Sequence, residues 1–211
     1  MTPHLRRLAL LVAATAMAGC FSLRQPAPEV RSYRLDYAPP ALSGVHPLPV
    51  ILRIAPLSTN AVYDRLAIVF RDDPYSTGTY LADRWGASPG HMLADLLARD
   101  FASSGLYRAV QQGPSVVASG YQLSGQIEEL EERETAGACV AHARLRFLLA
   151  RTTAGATPPV RLQATYNEDE PCACADVHAF VAAMSRAVER ISDQLQREVY
   201  TTIAAEVGAG G

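Results

Sequence analysis

Two stretches in the second half of the chain alternate apolar and polar residues and can be paired as one antiparallel hairpin. They cover residues 140–150 and 160–166, and the segment between them contains Gly155 and two prolines. A repeat of two residues is typical of a strand with one buried face, and glycine and proline are typical of turns. One wall of a hydrophobic core is therefore predicted, made of Ala141, Ala143, Leu145, Phe147, Leu149, Val160, Leu162, Ala164 and Tyr166.

Two segments have the apolar spacing of helices. The first begins at Ser88, an N-cap residue, followed by Pro89 at the first helical position, and Gly105 is its candidate C-cap. Asp176 is the candidate cap of the second, longer helix. The apolar stripes are Leu93, Leu96, Leu97 and Phe101 in the first helix, and Val177, Phe180, Val181, Met184, Val188, Ile191, Leu195, Val199 and Ile203 in the second.

Shorter alternating segments predict the remaining strands. They cover residues 32–37, 50–55, 65–71, 79–81, 106–110 and 121–127. The order along the chain is strands, a helix, strands and a helix. This order predicts an α+β fold, with a mainly antiparallel sheet and two helices packed on one face.

Residues 128–134 contain five glutamates, which raises the question of a cation site. A calcium loop normally includes glycine, asparagine or aspartate, and none of these interrupts the run. Local propensity favours a helix here, whereas the alternation before the run and the strand-like segment after it favour an extended hairpin arm. The glutamates are interpreted as a solvated face of that arm.

The amino-terminal segment is typical of a secretory signal peptide. Arg6 and Arg7 precede an apolar run at 8–18, which is too short to span a membrane, and small residues lead up to Cys20. Cys20 resembles the cysteine of a bacterial lipobox, which is acylated and becomes the first mature residue. Three acyl chains, at roughly 0.8 kcal/mol per buried methylene, would hold the protein on a bilayer.

The predicted organisation is a signal peptide at 1–19, a lipidated N-terminus and tether at 20–31, one domain at 32–207 and a flexible tail at 208–211. Removal of the signal leaves a length that suits a single core. The net charge of −2 argues against a nucleic-acid partner. All 19 basic residues are arginines, and they are scattered rather than clustered as a phosphate site requires.

The cysteines are expected to form one disulfide. If Phe147 faces Ala164 in the hairpin, then Cys139 faces Cys172, and Cys174 has the same side-chain parity. An oxidising compartment favours a bond from Cys139 to Cys172, with Cys174 as the alternative.

A zinc site is the rival interpretation of these cysteines, and it would add His142 and His178. On a regular strand, residues 139 and 142 point to opposite faces, which disfavours a metal site and equally a Cys-His dyad. The sequence contains neither a Gly-x-Ser-x-Gly elbow nor a glycine-rich phosphate loop. We therefore expect no catalytic residues, no metal and no enzyme activity.

An ordered set of short segments resembles the ABC-type transport auxiliary lipoproteins. The segments are Tyr33-Arg34-Leu35, Asp64-Arg65 followed by residues 66–70, Arg84-Trp85 before the Pro89 helix, residues 105–110, and residues 121–125. The resemblance implies a non-enzymatic periplasmic component of an Mce-type lipid transport system, similar to the lipoprotein of the paraquat-inducible systems. Its expected partners are an Mce-domain protein and an ABC permease and ATPase complex, and a homo-oligomer stays open.

The resemblance also implies a location and a docking role. The protein would be periplasmic and held by acyl chains on Cys20, with no other cofactor. Phe21 fits sorting to the inner leaflet of the outer membrane, since retention at the inner membrane typically uses aspartate there. Tyr80, Arg84 and Trp85 form the candidate docking patch, because aromatic residues and arginine dominate binding hot spots; the alternative is that Trp85 packs in the core. The competing functions are assembly of another envelope machine, such as lipopolysaccharide export or secretion, and lipid hydrolysis.

Overall fold

The computed structural model describes residues 29–113, 120–152 and 159–209. The predicted signal peptide, Cys20, most of the tether and the end of the predicted tail lie outside these residues. In the described part of the chain, no helix is long and apolar enough to cross a membrane.

Nine strands and two helices make up the described fold. The strands are β1 (Arg31–Tyr33), β2 (Leu48–Ile54), β3 (Ser58–Thr59), β4 (Ala67–Asp73), β5 (Ser76–Trp85), β6 (Tyr107–Gln112), β7 (Tyr121–Thr135), β8 (Ala138–Arg151) and β9 (Val160–Cys172), and the helices are α1 (Pro89–Ser103) and α2 (Val177–Ala209). The predicted α+β class is confirmed, and so is the extended arm over the glutamate run. β1 is shorter than the predicted strand at 32–37, whereas β5, β7 and β9 are longer.

The sheet is built around the antiparallel meander β7, β8 and β9. Its register is the predicted one, with Phe147 opposite Ala164. On the other edge of β7, strands β2, β3 and β4 each pair in parallel with a different part of it. β6 continues the sheet beside β2, and β5 and β1 continue it beside β4. The sheet is thus mixed, because alternation along a strand specifies its buried face but not the direction of its neighbour.

Both helices pack on one face of this sheet, called the inner face here. α2 lies over β8 and β9, where Arg186 Nε is 2.6 Å from Glu170 Oε1 and Arg190 Nε is 2.8 Å from Glu168 Oε2. The helices contact each other through buried groups: Ser192 Oγ donates to Asp100 Oδ2 at 2.7 Å.

The core between the layers contains most of the predicted apolar residues, and Leu96, Leu162 and Ala164 are partly buried against it. The prediction is wrong for Val160, which is 52% exposed and lies where the register between β8 and β9 shifts.

The helix ends agree with the capping residues in the sequence. Asp176 Oδ1 accepts a hydrogen bond of 3.0 Å from the backbone N–H of Ala179, as expected for an N-cap. Ser88 precedes α1, but its hydroxyl lies 2.8 Å from His91 Nδ1 and forms no backbone cap. Gly105 follows α1 with φ of 65°, the left-handed conformation that glycine adopts readily.

Candidate functional site

The disulfide lies at one end of the inner face, beside the turn between β7 and β8. Cys139 faces Cys172 in the ladder, as predicted, but the disulfide joins Cys139 to Cys174, with a Cα–Cα distance of 5.2 Å. The preferred pairing with Cys172 is therefore wrong, and the alternative with Cys174 is the one observed. After Cys172 the chain leaves the strand, and Cys174 lies beside the β7–β8 turn, where its Sγ is 3.9 Å from the carbonyl oxygen of Gly137. Ala175, at φ of 56°, follows it and precedes α2. The ladder register could not reveal this turn after β9.

The structure brings the three cysteines of the rival zinc set together but not His142. His142 points to the outer face of the sheet, where its Nδ1 lies 2.6 Å from Asp169 Oδ1 and its Nε2 lies 2.8 Å from Glu129 Oε2. Cys139 and Cys174 have ligand atoms within 4.8 Å of a Glu134 oxygen, but both sulfurs belong to the disulfide.

The glutamate run does not form a solvated face. Glu131 has no exposed surface and Glu132 is 3% exposed, although both are charged residues on a strand. A register shift between Ile127 and Glu129 precedes them, so that Glu131 points to the outer face opposite His142 and Glu132 points to the inner face opposite Ala141. The prediction failed because the segments that cover these carboxylates are distant in sequence.

The Glu131 carboxylate is held by a network of donors on the outer face. Tyr63 O–H donates to Oε2 at 2.6 Å, Arg133 Nε donates to Oε1 at 2.6 Å, and Arg71 also donates to Oε1. Burial opposes ionisation, but these three hydrogen bonds outweigh it and lower the pKa of Glu131. The network ties the loop that contains Tyr63 to β4 and β7, which is a structural role.

A small cavity lies beside Glu132 on the inner face, and we call it the Tyr80 cavity. It has a volume of about 190 Å³ and is lined by Phe70, Arg71, Asp72, Tyr80, Glu132, Glu134, Cys174 and Ala175. The rings of Phe70 and Tyr80 form one wall, with centroids 5.2 Å apart. Tyr80 O–H donates to Glu132 Oε2 at 2.6 Å, and the backbone N–H of Ala175 donates to Glu132 Oε1 at 3.3 Å. The disulfide therefore holds the turn that partly covers this carboxylate.

The free cysteine lies close to the same carboxylate. Cys172 is half-buried, and burial together with the negative charge of Glu132 raises the pKa of its thiol to about 11. A thiol with this pKa is a poor nucleophile at neutral pH, because little thiolate is present.

The predicted docking residues do not form one exposed patch. Trp85 is 2% exposed and packs against Phe180, so its placement in an exposed patch is wrong and the alternative, a position in the core, is the one observed. Arg84, the residue before Trp85 on β5, is exposed, and its Nε donates to Ser32 Oγ at 3.2 Å. Tyr80 is half-buried and lines the cavity. Successive residues of a strand point to opposite faces, which separates Arg84 from Trp85. A role for Tyr80 and Arg84 in partner binding stays a prediction.

Two other apolar side chains are far more exposed than these. Tyr75, in the turn between β4 and β5, is 96% exposed, and Leu81 on β5 is 94% exposed. Sequence reasoning missed both. Tyr75 follows Asp72-Asp73-Pro74, a turn signal that could have indicated an exposed aromatic residue.

The described residues contain one close contact between a serine hydroxyl and a histidine ring, that of Ser88 with His91. It is exposed and local, at the start of α1. In the part of the chain that the structure describes, His91 has no carboxylate partner to orient its ring, which distinguishes the contact from a catalytic arrangement.

Comparison with protein families gives a match over residues 33–196 to the ABC-type transport auxiliary lipoprotein component. The match covers most of the chain. The protein belongs to this family. The resemblance found in the short sequence segments is thereby confirmed, and the chain is a lipoprotein-family component of the cell envelope.

Solved structures with the same fold support the architecture. Protein XCC0632 from Xanthomonas campestris aligns with a TM-score of 0.71 and 21% identity, covering 85% of this chain and 95% of that one. The hypothetical protein CT253 from Chlamydia trachomatis aligns with a TM-score of 0.54 and 9% identity, covering 75% of this chain and 99% of that one. At these identities the similarity shows the fold. Comparison with curated protein sequences gives no match.

Proposed function

We propose that this auxiliary lipoprotein is a non-enzymatic component of an Mce-type lipid transport system, and that it docks the transport assembly near the outer membrane. The observation that carries the proposal is the family match over residues 33–196. In the described residues, hydrogen bonds hold the buried carboxylates Glu131 and Glu132, and the nearby Cys172 thiol is a poor nucleophile, which favours a binding role.

The anchor is part of the proposed function. Acylated Cys20 would fix the chain to the membrane, and β1 begins at Arg31. Eleven residues span at most about 40 Å when fully extended. The domain would therefore stay within a few nanometres of the bilayer that holds the acyl chains. Phe21 supports the inner leaflet of the outer membrane as that bilayer.

The exposed apolar side chains supply a docking surface. Tyr75 and Leu81 lie on the hairpin of β4 and β5, which also carries Tyr80 into its cavity. Isolated exposed apolar residues are common, but a nearly fully exposed tyrosine and leucine on one hairpin suit the centre of an interface.

Affinity purification of the tagged full-length protein from its own cells tests this function. We expect recovery of an Mce-domain protein together with permease and ATPase subunits, and labelling of the protein by radioactive palmitate. The Cys20→Ala variant should lose the label and the membrane association. Recovery of an outer-membrane barrel or a secretion ring in place of the transport subunits would refute the proposal.

A further inference from the structure

Glu132 is a buried carboxylate whose charge has no cationic partner. It is 3% exposed, and its two hydrogen bonds come from the neutral donors Tyr80 O–H and Ala175 N–H. Within the described ranges, no arginine or histidine lies within ion-pair distance of it. Burial of a charged carboxylate is unfavourable, and a cation together with hydrogen bonds compensates it better than neutral donors alone. The site therefore favours a positive group supplied from outside.

Arg71 lines the same cavity but does not supply this charge. Its guanidinium pairs with Glu131 on the outer face and lies 3.9 Å from Glu129 Oε2. Glu131 and Glu132 are neighbours on β7 and point to opposite faces of the sheet. The Arg71 guanidinium on the outer face therefore does not neutralise Glu132 on the inner face. Among the described residues, the Glu132 side chain that lines the cavity is thus left without a cationic partner.

The walls of the Tyr80 cavity suit a cation with apolar parts. The rings of Phe70 and Tyr80 attract cations through their quadrupoles. The rim adds two further acidic side chains, Asp72 and Glu134, both exposed. Aromatic walls and a buried carboxylate together recognise a guanidinium or an ammonium group.

The size of the cavity decides between a whole ligand and one group of a larger partner. Sites for small molecules typically have volumes of about 300–1,000 Å³, and the Tyr80 cavity has about 190 Å³. It has room for one side chain or headgroup. Arginine is among the most frequent hot-spot residues at protein interfaces, where it enters a desolvated pocket on the partner.

We propose that the Tyr80 cavity receives one arginine or lysine side chain of the protein that docks on this lipoprotein, with its positive charge against Glu132 and its methylenes against the wall formed by Phe70 and Tyr80. The proposal rests on the docking function inferred above and names the chemistry of the partner. Glu134 and Asp72 at the rim guide the basic side chain inward.

The first experiment measures the cavity without a partner. The full-length protein in detergent is titrated, by ligand-detected NMR, with the amides of N-acetylarginine and N-acetyllysine and with the neutral isostere N-acetylcitrulline amide. We expect the arginine or lysine amide to bind at least tenfold more tightly than the citrulline amide. Glu132→Gln, which keeps the size of the side chain and one acceptor oxygen but removes the charge, should remove this preference, and the exposed-loop control Asp64→Asn should leave it unchanged. Equal binding of the three amides overturns the proposal.

A second arm of this titration tests whether the cavity binds a basic protein side chain or a lipid headgroup. Ethanolamine and choline carry the same kind of charge without a peptide. If either binds more tightly than both basic amides, the occupant is a headgroup and the proposal is wrong. Weaker binding of both supports it.

The second experiment is purification of the transport subunits with the variants. Wild-type protein should retain them, whereas Glu132→Gln and Glu134→Lys should retain at least fivefold less; Glu134 is exposed, so its reversal does not disturb the core. Full retention by both variants overturns the cavity proposal and leaves the docking function intact. If the wild-type protein retains no transport subunits, the docking function fails, and the titration alone decides whether the cavity binds a basic side chain.

Discussion

Trp85 of β5 packs against Phe180 of α2, with the centroids of the two rings 6.0 Å apart. Because the indole is 2% exposed, its removal leaves a large cavity between the sheet and the helix. We expect Trp85→Ala to lower the free energy of unfolding by about 3–5 kcal/mol, measured by urea denaturation of the full-length protein. The control Leu81→Ala, at a side chain that is 94% exposed, should change it by less than about 0.5 kcal/mol. A Trp85 variant as stable as wild type would contradict this packing.

The same tryptophan shows where sequence reasoning succeeded and where it failed. Alternation and helical spacing predicted the buried faces of β8, β9 and both helices, because those patterns are local. The environment of Trp85 depends on Phe180, which is distant in sequence, and the burial of Glu131 depends on Tyr63 and Arg71. Neither side chain carries a local signal of its surroundings. The parallel pairing of β7 with three separate strands is likewise a long-range property.

Of the residues that line the Tyr80 cavity, the sequence predicted a functional role only for Tyr80. The sequence shows Tyr80 only as an aromatic residue near an arginine, and nothing in it indicates the contact of Tyr80 with Glu132. The register shift at Ile127 and Glu129 changes which glutamates point inward, and a shift of one residue reverses every later side chain. Such a bulge has no clear signature in the glutamate run.

The Cys139–Cys174 disulfide should contribute substantially to stability. The two cysteines are 35 residues apart, and closure of a loop of that length in the unfolded chain is worth about 3–4 kcal/mol in the chain-entropy model. We expect the double variant Cys139→Ser/Cys174→Ser to lose about that amount, as measured by urea denaturation. Cys172→Ser, which removes the free thiol, is the matched control and should lose much less. Equal losses in the two proteins would show that the bond does not constrain the chain.

Cys172 should replace Cys174 when that residue is absent. Cys139 and Cys172 are direct partners in the antiparallel ladder, where Cα atoms are about 4.5–5.5 Å apart, within the usual range for a disulfide. Purified Cys174→Ser should therefore contain a Cys139–Cys172 bond, and an alkylating reagent should find no reactive thiol. Fragmentation of the unreduced peptides by mass spectrometry identifies the bond. Alkylation of both cysteines would show that the ladder geometry does not permit it.

Asp100 should be the polar residue on which contact between the helices depends most. It has no exposed surface and accepts hydrogen bonds from Tyr37 O–H at 2.8 Å and from Ser192 Oγ at 2.7 Å. Hydrogen bonds to a charged group contribute about 1.5–3 kcal/mol each. We expect Asp100→Ala to destabilise the protein by about 3 kcal/mol or more, measured by thermal and urea unfolding. Ser192→Ala removes only one of these hydrogen bonds and should destabilise the protein less than Asp100→Ala does. A larger loss of stability in Ser192→Ala than in Asp100→Ala would contradict the central position of Asp100.

The Glu131 network should make stability depend on pH in the acid range. The pKa of Glu131 is below its ordinary value of 4.5 in the folded protein, because the hydrogen bonds from Tyr63, Arg133 and Arg71 outweigh the effect of burial. A carboxyl group with a lowered folded-state pKa contributes stability above its unfolded pKa, and this contribution is lost as the pH falls through the folded value. Wild-type protein should therefore lose stability below about pH 4.5 more steeply than Glu131→Gln, which has no charge to lose at this position.

The comparison of the wild-type protein with Glu131→Gln isolates the contribution of Glu131 to the pH dependence of stability from that of the other acidic residues. Glu170, whose pKa is also lowered, is present in both proteins, so its contribution cancels in the difference. At neutral pH, Glu131→Gln should be less stable than wild type by about 3 kcal/mol, because Arg71 and Arg133 lose a buried counter-charge. Urea denaturation at pH 7, 5, 4 and 3 measures both effects. The stability difference should be largest at neutral pH and should shrink toward pH 3; a difference that is constant with pH would mean that Glu131 binds a proton equally well in the folded and unfolded chains.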